Sequence, residues 1–386
     1  MRSPDAARTL LNRARALYPT DSPEGRSLGE ARARLDEPLR VAVAGKVKAG
    51  KSTLLNALLG ECLAVTDAGE CTLVTTWYRY APAPRATVIL ADGRTEELVL
   101  GRGAQGRATL ALGGHAPHEV ARVEVGWPLP FLREMTLIDT PGIGSLTKEA
   151  SQRTLGLVRA DAGPGVDALV YLMRHRHAAD LELLQGFHAD TRVAGQDQAA
   201  GAVNVIGVLS RADEIGDGGI DAMVRAQDLA ERYTRDPQVR ELCSGVLPVA
   251  GLLAEGAQTM THDELEWLRV YATIPKQRRD RLTLSASRFV AEDEPALGTP
   301  ERAALLARLG LFGVRMGASL VRLGLETPGQ LTSELLARSG LPALRDALLA
   351  AYAGSAELLK ARSALQALAG VLASAPRPGS DALLAD

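Results

Sequence analysis

A glycine-rich turn between two apolar segments constrains this chain more than any other feature of its sequence. The turn is residues 45–52, GKVKAGKS, and it follows the apolar run 39–44 and precedes the apolar segment 53–59. An apolar run, a glycine-rich turn and a helical segment in this order predict a strand that leads through a phosphate-binding P-loop into a helix. The alternative is a turn that binds no nucleotide. The flanking strand and helix favour the P-loop.

The residues of this loop have distinct expected roles. Gly45 and Gly50 let the backbone fold tightly, so that N–H groups turn toward the β-phosphate. Lys51 is expected to bridge the β- and γ-phosphates and Ser52 to bind Mg²⁺, which makes both candidate catalytic residues. The candidate nucleotide-binding residues of the loop and the first helical turn are Gly45, Lys48, Ala49, Gly50, Lys51, Ser52 and Thr53.

Length and charge set the broad class of the protein. A chain of 386 residues with 46% hydrophobic residues can build a nucleotide-binding domain and a second body. The net charge of −2 gives no general electrostatic reason to bind nucleic acid. The three cysteines, Cys62, Cys71 and Cys243, are scattered without paired spacing, so the sequence predicts neither a disulfide framework nor a zinc site. We therefore expect a cytoplasmic protein.

The chain divides by pattern into four parts. Residues 1–38 carry a helical leucine pattern, and residues 39–275 alternate apolar strand-like runs with amphipathic segments. That alternation predicts an α/β P-loop domain with a mainly parallel sheet. Residues 276–376 lose the strand signals and predict a helical region, which with the N-terminal segment forms a neck-like bundle. Residues 377–386 are rich in Pro, Gly and Ser and predict a flexible tail.

Smaller patterns refine this division. Residues 87–91, the turn Asp92-Gly93 and residues 97–100 predict a hairpin inserted in the sheet. Leucines spaced by three or four residues between 341 and 372 predict one long helix or two stacked ones. The most apolar stretch, 309–325, contains Arg315 and Arg322, which disfavour a membrane span and leave an amphipathic helix.

Two further motifs expected of a nucleotide hydrolase follow the P-loop. Residues 136–142, TLIDTPG, predict a buried strand that delivers Asp139 and Gly142 to its carboxyl end. We expect Asp139 to hold Mg²⁺ through a water and the Gly142 N–H to sense the γ-phosphate. Thr72, in the polar loop 65–72, is the candidate whose hydroxyl joins Mg²⁺ and supports catalysis only when a γ-phosphate is present, with Thr66 as the alternative.

The base is expected to be read by Ser210, Arg211 and Asp213, which follow the apolar run 203–209. Guanine presents two donors, at N1 and N2, to one carboxylate, whereas adenine offers no such pair, so Asp213 favours GTP over ATP. Arg211 can cover the base with its stem and guanidinium. Residues 247–251, with Ala250 and Gly251, predict a loop that closes over the base through backbone N–H groups.

The P-loop and the segment after Asp139 indicate an unusual hydrolysis mechanism. Ile143 stands where Ras-like enzymes carry a water-orienting Gln, so another group, dimerisation or slow turnover is implied. Lys48 stands three residues before Lys51, where some dimerisation-activated GTPases carry a polar ligand for a monovalent cation. Its ammonium is a candidate catalytic charge donor that replaces that cation. The alternative is that Lys48 points to solvent.

The order of these motifs resembles that of the bacterial dynamin-like GTPases, and residues 172–180 and 209–215 most resemble their isoniazid-inducible branch. Residues 339–365 resemble that family's return into its helical neck. The resemblance is carried by four motifs in this order: GKVKAGKS, Cys71-Thr72, Asp139-Thr140-Pro141-Gly142 and Ser210-Arg211-Ala212-Asp213. It implies a Mg²⁺-dependent GTPase that dimerises across its nucleotide face, with a neck that transmits the hydrolysis cycle to a membrane.

The expected partners are GTP or GDP, a second dynamin-like chain in a homodimer or heterodimer, and a membrane surface at the inner face of the cell membrane, with no nucleic acid. About 110 residues follow position 275, which favours action beside a longer dynamin-like partner, or use of residues 309–325 at the lipid surface. Two alternatives stay open. One is a nucleotide-binding scaffold with negligible turnover, and the other is an Era-like GTPase of ribosome assembly, which the charge balance disfavours.

Overall fold

The computed structural model describes residues 4–61, 63, 74–102, 108–110, 112–141, 166–175, 180–185, 204–325 and 327–385. Within these residues, nine strands form one sheet in the order β11-β10-β9-β1-β8-β2-β7-β3-β4, and β5 and β6 form a separate pair. The strands are β1 Leu39–Gly45, β2 Thr76–Tyr80, β3 Arg85–Leu90, β4 Thr95–Leu98, β5 Leu100–Arg102, β6 Ala108–Leu110, β7 Val120–Trp127, β8 Met135–Asp139, β9 Ala168–Met173, β10 Val205–Ser210 and β11 Gly245–Val249.

The half of the sheet that positions the candidate site is parallel. Strands β11, β10, β9, β1 and β8 run in one direction, and every residue of β1, β9 and β10 is buried. Strands buried on both faces read as continuous apolar runs, which is the pattern that the sequence shows here. The predicted mainly parallel sheet is confirmed. Its carboxyl edge brings together Gly45, Asp139 and Ser210, the last residues of β1, β8 and β10.

The other half of the sheet is an extension of mixed direction. Strand β2 pairs antiparallel with β8 and parallel with β7, and β3 forms a hairpin with β4. At the hairpin turn Gly93 has φ +88, and Asp92 Oδ1 accepts a hydrogen bond from the Arg94 backbone N–H at 2.9 Å. The hairpin was predicted, but its second strand is Thr95–Leu98 rather than residues 97–100. Leu100 instead begins β5 and pairs with Leu110.

Helices surround the sheet and continue to the C-terminal end of the described chain. Two helices have a hydroxyl cap followed by a proline in the first turn: the Ser22 hydroxyl accepts the Gly25 N–H, and the Thr327 hydroxyl accepts the Gln330 N–H. The α-helices are α1 Pro4–Arg15, α2 Pro23–Arg34, α3 Lys51–Leu59, α4 Ala222–Arg235, α5 Pro237–Arg240, α6 Gly251–Gln258, α7 His262–Thr273, α8 Lys276–Leu282, α9 Ala286–Ala291, α10 Thr299–Arg322, α11 Pro328–Arg338, α12 Leu341–Ala353, α13 Ala356–Ser374 and α14 Ser380–Ala385.

The two ends of the chain form the predicted helical bundle. Helix α13 packs against α1 and α2 through small and leucine side chains, including Leu11, Leu28, Ala364 and Leu368. Residues 377–386, expected to be a flexible tail, instead contain the helix α14, because Leu383 packs into the same cluster and the Ser380 hydroxyl accepts the Arg377 N–H. The leucines between 341 and 372 belong to two helices, α12 and α13, rather than to one.

Helices α10 to α12 pack on the sheet domain rather than in the bundle. Leu309 and Phe312 of α10 are buried with Leu265 and Leu268 of α7, and Leu344 of α12 is buried in the main sheet cluster. Among the described residues, α10 is the one helix that is long and apolar enough to cross a membrane, and 44% of its apolar window is buried inside the protein. The buried apolar side chains of the stretch 309–325, among them Leu309, Phe312 and Leu320, therefore belong to the core and do not form a free amphipathic surface.

Candidate nucleotide-binding site

The P-loop lies between β1 and α3, as predicted, and glycine is required at two of its positions for steric or conformational reasons. A Cβ at Gly45 would lie 2.8 Å from the carbonyl oxygen of Leu172, so that the loop can pass β9 only without a side chain. Gly50 has φ +90, a conformation that favours glycine, and precedes α3 without a side-chain cap. Gly50 thus offers no side chain to the first N–H groups of α3, which leaves them available to an anion, as at phosphate-binding helix N-termini.

Lys51, Ser52 and Thr53 form the first turn of α3 and are all partly exposed. Burial lowers the pKa of the Lys51 ammonium below its ordinary value, and the nearby Asp139 carboxylate opposes that shift. An ammonium that has lost part of its water gains from a bound phosphate. The first turn of α3 is thus electrostatically suited to a polyphosphate.

Asp139 ends β8 directly beside the P-loop strand. It is paired in register with Val43 of β1, and the Thr140 hydroxyl donates to the Val43 carbonyl at 2.9 Å, which holds the strand end in place. Burial raises the pKa of the Asp139 carboxyl to about 6, and the Lys51 ammonium acts in the opposite direction. A cation placed beside this carboxyl would stabilise its charged form.

The donors found here fit Mg²⁺. The Ser52 hydroxyl and the Asp139 carboxylate are oxygen ligands of the kind that Mg²⁺ takes, usually one or two from protein and the rest from phosphates and water. The described residues contain no group of three or more His, Cys, Asp or Glu side chains that could hold a metal. The other two switch candidates, Thr72 and Gly142, and the alternative Thr66, lie outside the described residues.

The predicted base-reading residues lie at the end of β10 and directly after it. Ser210 is buried, and its hydroxyl donates to the Met173 carbonyl at 3.3 Å, which joins β10 to β9. Arg211 has φ +52, and its guanidinium donates to Glu214 Oε1 at 2.8 Å, while Arg174 binds Glu214 Oε2 at 2.5 Å. The Arg211 side chain is thus held at the rim of the site by a carboxylate that the sequence reasoning did not single out.

Asp213 is the buried carboxylate of this side of the site, with 6% of its surface exposed. Burial raises the pKa of the Asp213 carboxyl to about 6, the Glu214 carboxylate adds to that rise, and the Arg211 guanidinium opposes it. A desolvated carboxylate gains from new hydrogen-bond donors, and charge-assisted bonds of this kind are the strong ones.

A cleft of about 130 Å³ joins the two sides. Its walls include residues of the P-loop and of the predicted base-reading segment, and its floor is formed by the ends of β9, β10 and β11. The predicted parallel sheet places these strand ends at one edge. It does not identify which of their side chains line the cleft. The lining residues are Ala49, Gly50, Thr53, Leu54, Leu172, Val208, Ser210, Arg211, Asp213, Glu214, Val249, Gly251 and Leu252.

One of the two residues predicted to close over the base lines the cleft, and the other does not offer its N–H group. Gly251 lines the cleft, but the Ala250 N–H donates to the Ser339 carbonyl at 2.8 Å and is not available to a base. The proposed contact of that N–H with the base is therefore wrong, because a C-terminal segment has taken it. Lys48 is exposed and has φ +64, a conformation uncommon for a residue with a Cβ.

One support of the P-loop helix could not be predicted from a sequence motif. The Arg345 guanidinium of α12 donates to the Ala57 and Leu58 carbonyls at 2.9 Å each, at the last turn of α3. A cation at that end complements the helix dipole and satisfies carbonyls that have no helical partner. The P-loop helix is therefore held at its far end by the C-terminal region.

Comparisons with known proteins agree with this geometry. Residues 41–195 match the dynamin family. IniC, an isoniazid-induced protein of Mycobacterium tuberculosis, is 41% identical over 356 residues, which are 92% of this chain and 71% of IniC. IniA of the same organism is 42% identical over 144 residues, 35% of this chain and 22% of IniA.

A bacterial dynamin-like protein of Nostoc punctiforme is 29% identical over 150 residues, covering 35% of this chain and 20% of that protein. The matches with this protein and with IniA are partial, whereas the match with IniC extends through the sheet domain and most of the helices around it. On this evidence, and with the P-loop, Asp139 and Asp213 at one sheet edge, the chain belongs to the bacterial dynamin-like branch of the dynamin GTPase family.

Proposed function

We propose that this chain binds GTP with Mg²⁺ and hydrolyses it to GDP and phosphate. The position of Asp213 carries the proposal, because its buried carboxylate lines the same cleft as Ala49 and Gly50 of the P-loop. A carboxylate accepts both donors of the guanine N1 and N2 edge, and adenine presents no such pair. A phosphate site and a guanine-accepting group in one cleft support GTP over ATP.

The remaining site residues complete this proposal. Ser52, Thr72 and Asp139 would hold Mg²⁺, which when bound neutralises charge that develops on the phosphates. The Gly142 N–H would contact the γ-phosphate. Thr72 and Gly142 are proposed from the sequence alone, because the structure does not describe them. Ser52 and Asp139 are proposed from the sequence and from their places in the first turn of α3 and at the end of β8.

We further propose that a second dynamin-like chain completes the site. Ile143 cannot orient water by hydrogen bonding, so the attacking water needs another group. Val47 of the P-loop is 46% exposed, and Lys48 beside it is exposed, so the nucleotide face presents an apolar side chain next to a cation. The occurrence of IniC and IniA in one organism shows that two such relatives coexist there, which supports a heterodimer as well as a homodimer.

We assign the parts of the chain by analogy with the family. Residues 39–275 are proposed as the GTPase domain, and residues 1–38 with 276–376 as the helical region. Within that region α1, α2 and α13 are proposed to form the neck, because α10 to α12 pack on the sheet domain. Because the apolar side chains of α10 are largely covered by α7 and its neighbours, we propose that membrane contact comes through a longer dynamin-like partner. The chain would then act from the cytoplasm at the inner face of the cell membrane.

Measurement of GTP turnover at increasing protein concentration tests two proposals together, that the chain hydrolyses GTP and that dimerisation activates it. We expect turnover per chain to rise with concentration and then level off, because the second chain would supply the water-orienting group that Ile143 cannot provide. Liposomes should raise turnover further only when the partner is added. Turnover per chain that stays constant with concentration would contradict activation by dimerisation. GTP binding without turnover at any concentration would support the scaffold instead.

Lys48 provides a second, independent test of the hydrolysis mechanism. We propose that its ammonium takes the place of a monovalent cation beside the β- and γ-phosphates in the transition state. We expect Lys48→Ala to lower turnover by about tenfold or more while GDP affinity stays nearly unchanged, and K⁺ to restore part of the loss. Lys48→Arg, which keeps the charge, is the matched control. Normal turnover of Lys48→Ala, or strong K⁺ dependence of the wild type, would remove Lys48 from the mechanism.

A further inference from the structure

Helix α10 is interrupted at Gly310, next to the base-reading carboxylate. Gly310 has φ +66 and ψ 174, whereas the residues on both sides are helical. A Cβ built on Gly310 would lie 3.2 Å from Asp213 Oδ2, and the next nearest side-chain atom, of Leu252, would be 3.8 Å away. The bare backbone of Gly310 therefore borders the oxygen that would accept a hydrogen bond from guanine.

The loop after Asp213 is held by the second half of the same helix. Gly216, Asp217 and Gly218 have φ +62, +57 and +63, three consecutive residues in the left-handed region. The Arg315 guanidinium donates to the Asp217 carbonyl at 3.0 Å and also to the Gly218 carbonyl. A loop of this conformation is strained unless neighbouring groups fix it, and Arg315 supplies that support.

The first half of α10 is held from the other side. Arg308, two residues before the interruption, donates to Glu264 Oε1 at 2.8 Å and to the Thr259 carbonyl at 2.9 Å. Leu309 and Phe312, on either side of Gly310, are buried. Because both halves of the helix are held, Gly310 cannot move away from Asp213 without loss of these contacts.

We propose that Gly310 determines base specificity by fixing the direction of Asp213 Oδ2. This inference rests on the proposed GTP site. Guanine needs both carboxylate oxygens, one for its N1–H and one for its N2 amino group, whereas hypoxanthine lacks the amino group and needs one. A side chain at position 310 would push Oδ2 aside and remove one of the two hydrogen bonds. The preference for guanine over hypoxanthine would fall, although the phosphates would still bind.

The test compares GDP and inosine diphosphate by calorimetry on the wild type and on Gly310→Ala. We expect the ratio of the two affinities to fall by about tenfold in the variant, the loss of one hydrogen bond to a charged group. Gly324→Ala is the matched control, since Gly324 also has positive φ, +91, but an added Cβ there would meet no atom within 4 Å. The control should keep the wild-type ratio.

A second variant keeps the test valid if Gly310→Ala does not fold. Arg315→Met removes the donors to the Asp217, Gly218 and Thr283 carbonyls without backbone strain, and we expect it to lower the same ratio. Unchanged ratios in the folded variants would overturn the role of Gly310. If the wild type prefers GDP over ADP but the variants keep its ratio of GDP to inosine diphosphate affinity, only the role of Gly310 is wrong and the GTP site is retained. If the wild type does not prefer GDP over ADP, the proposed function itself is wrong.

Discussion

Replacing Asp213 with Asn is expected to weaken GDP binding by at least about a hundredfold and to create affinity for xanthosine diphosphate. The amide keeps one acceptor but turns a donor toward a guanine edge that itself presents two donors. Xanthine carries an oxygen where guanine carries its amino group, so the amide donor gains a partner. Calorimetry with the two diphosphates measures the exchange of preference.

Asp217→Asn is the matched control for this variant. Asp217 is exposed, lies four residues further along the same loop and has φ +57, a conformation that Asn tolerates. The same chemical change there should leave the base preference as it is in the wild type. If Asp213→Asn bound GDP as the wild type does, Asp213 would not be the base-reading residue.

The same carboxyl gives the site a pH dependence. Because burial raises the pKa of Asp213 to about 6, a falling pH protonates it in the nucleotide-free protein and removes its capacity to accept both guanine donors. GDP affinity should therefore decline below pH 6, approaching about tenfold per pH unit. The ratio of wild-type to Asp213→Asn affinity isolates this effect, since the titration of the diphosphate itself cancels.

Replacing Lys51 with Met is expected to lower GTP turnover by at least about a hundredfold, because the ammonium that neutralises charge between the β- and γ-phosphates is lost. Multiple-turnover phosphate release at saturating GTP measures it. Turnover within a few-fold of the wild type would show that the P-loop does not act on a triphosphate.

Loss of the folded structure should not be the cause of the lower turnover of Lys51→Met, because the charge on Lys51 does not stabilise the nucleotide-free fold. Burial lowers the pKa of Lys51, which means that the fold disfavours its charged form, so removal of the charge should not lower the melting temperature of the nucleotide-free protein. Asp139 would lose a nearby cation, but its carboxyl pKa, already about 6, would rise further, and a neutral carboxyl leaves less charge buried.

The parts of the fold that depend on local pattern could be predicted from the sequence. The run 39–44 has only buried residues because β1 lies between two parallel strands, and such strands read as continuous apolar runs. The turn at residues 45–50 needs glycine where Leu172 passes and where φ is positive. These requirements determine residue type and spacing, so the positions of the P-loop, Asp139 and Asp213 can be predicted from the sequence.

The parts that depend on distant packing could not be predicted. The pattern of residues 247–251 predicts a contact between the Ala250 N–H and the base, but this N–H donates to the carbonyl of Ser339, nearly ninety residues later. The stretch 309–325 has an amphipathic pattern, and its apolar face is covered by α7 rather than by lipid. Gly310 carried no signal at all, since a glycine inside a helical pattern does not show which side chain lies opposite it. Tertiary contacts decided each of these cases.

Calorimetric titration of the wild-type protein with GDP and with ADP, each with Mg²⁺, tests the central assignment most directly. We expect saturable binding of GDP and no measurable binding of ADP, because the cleft combines a phosphate loop with the Asp213 carboxylate. Equal uptake of the two nucleotides, or no uptake of GDP, would contradict the assignment.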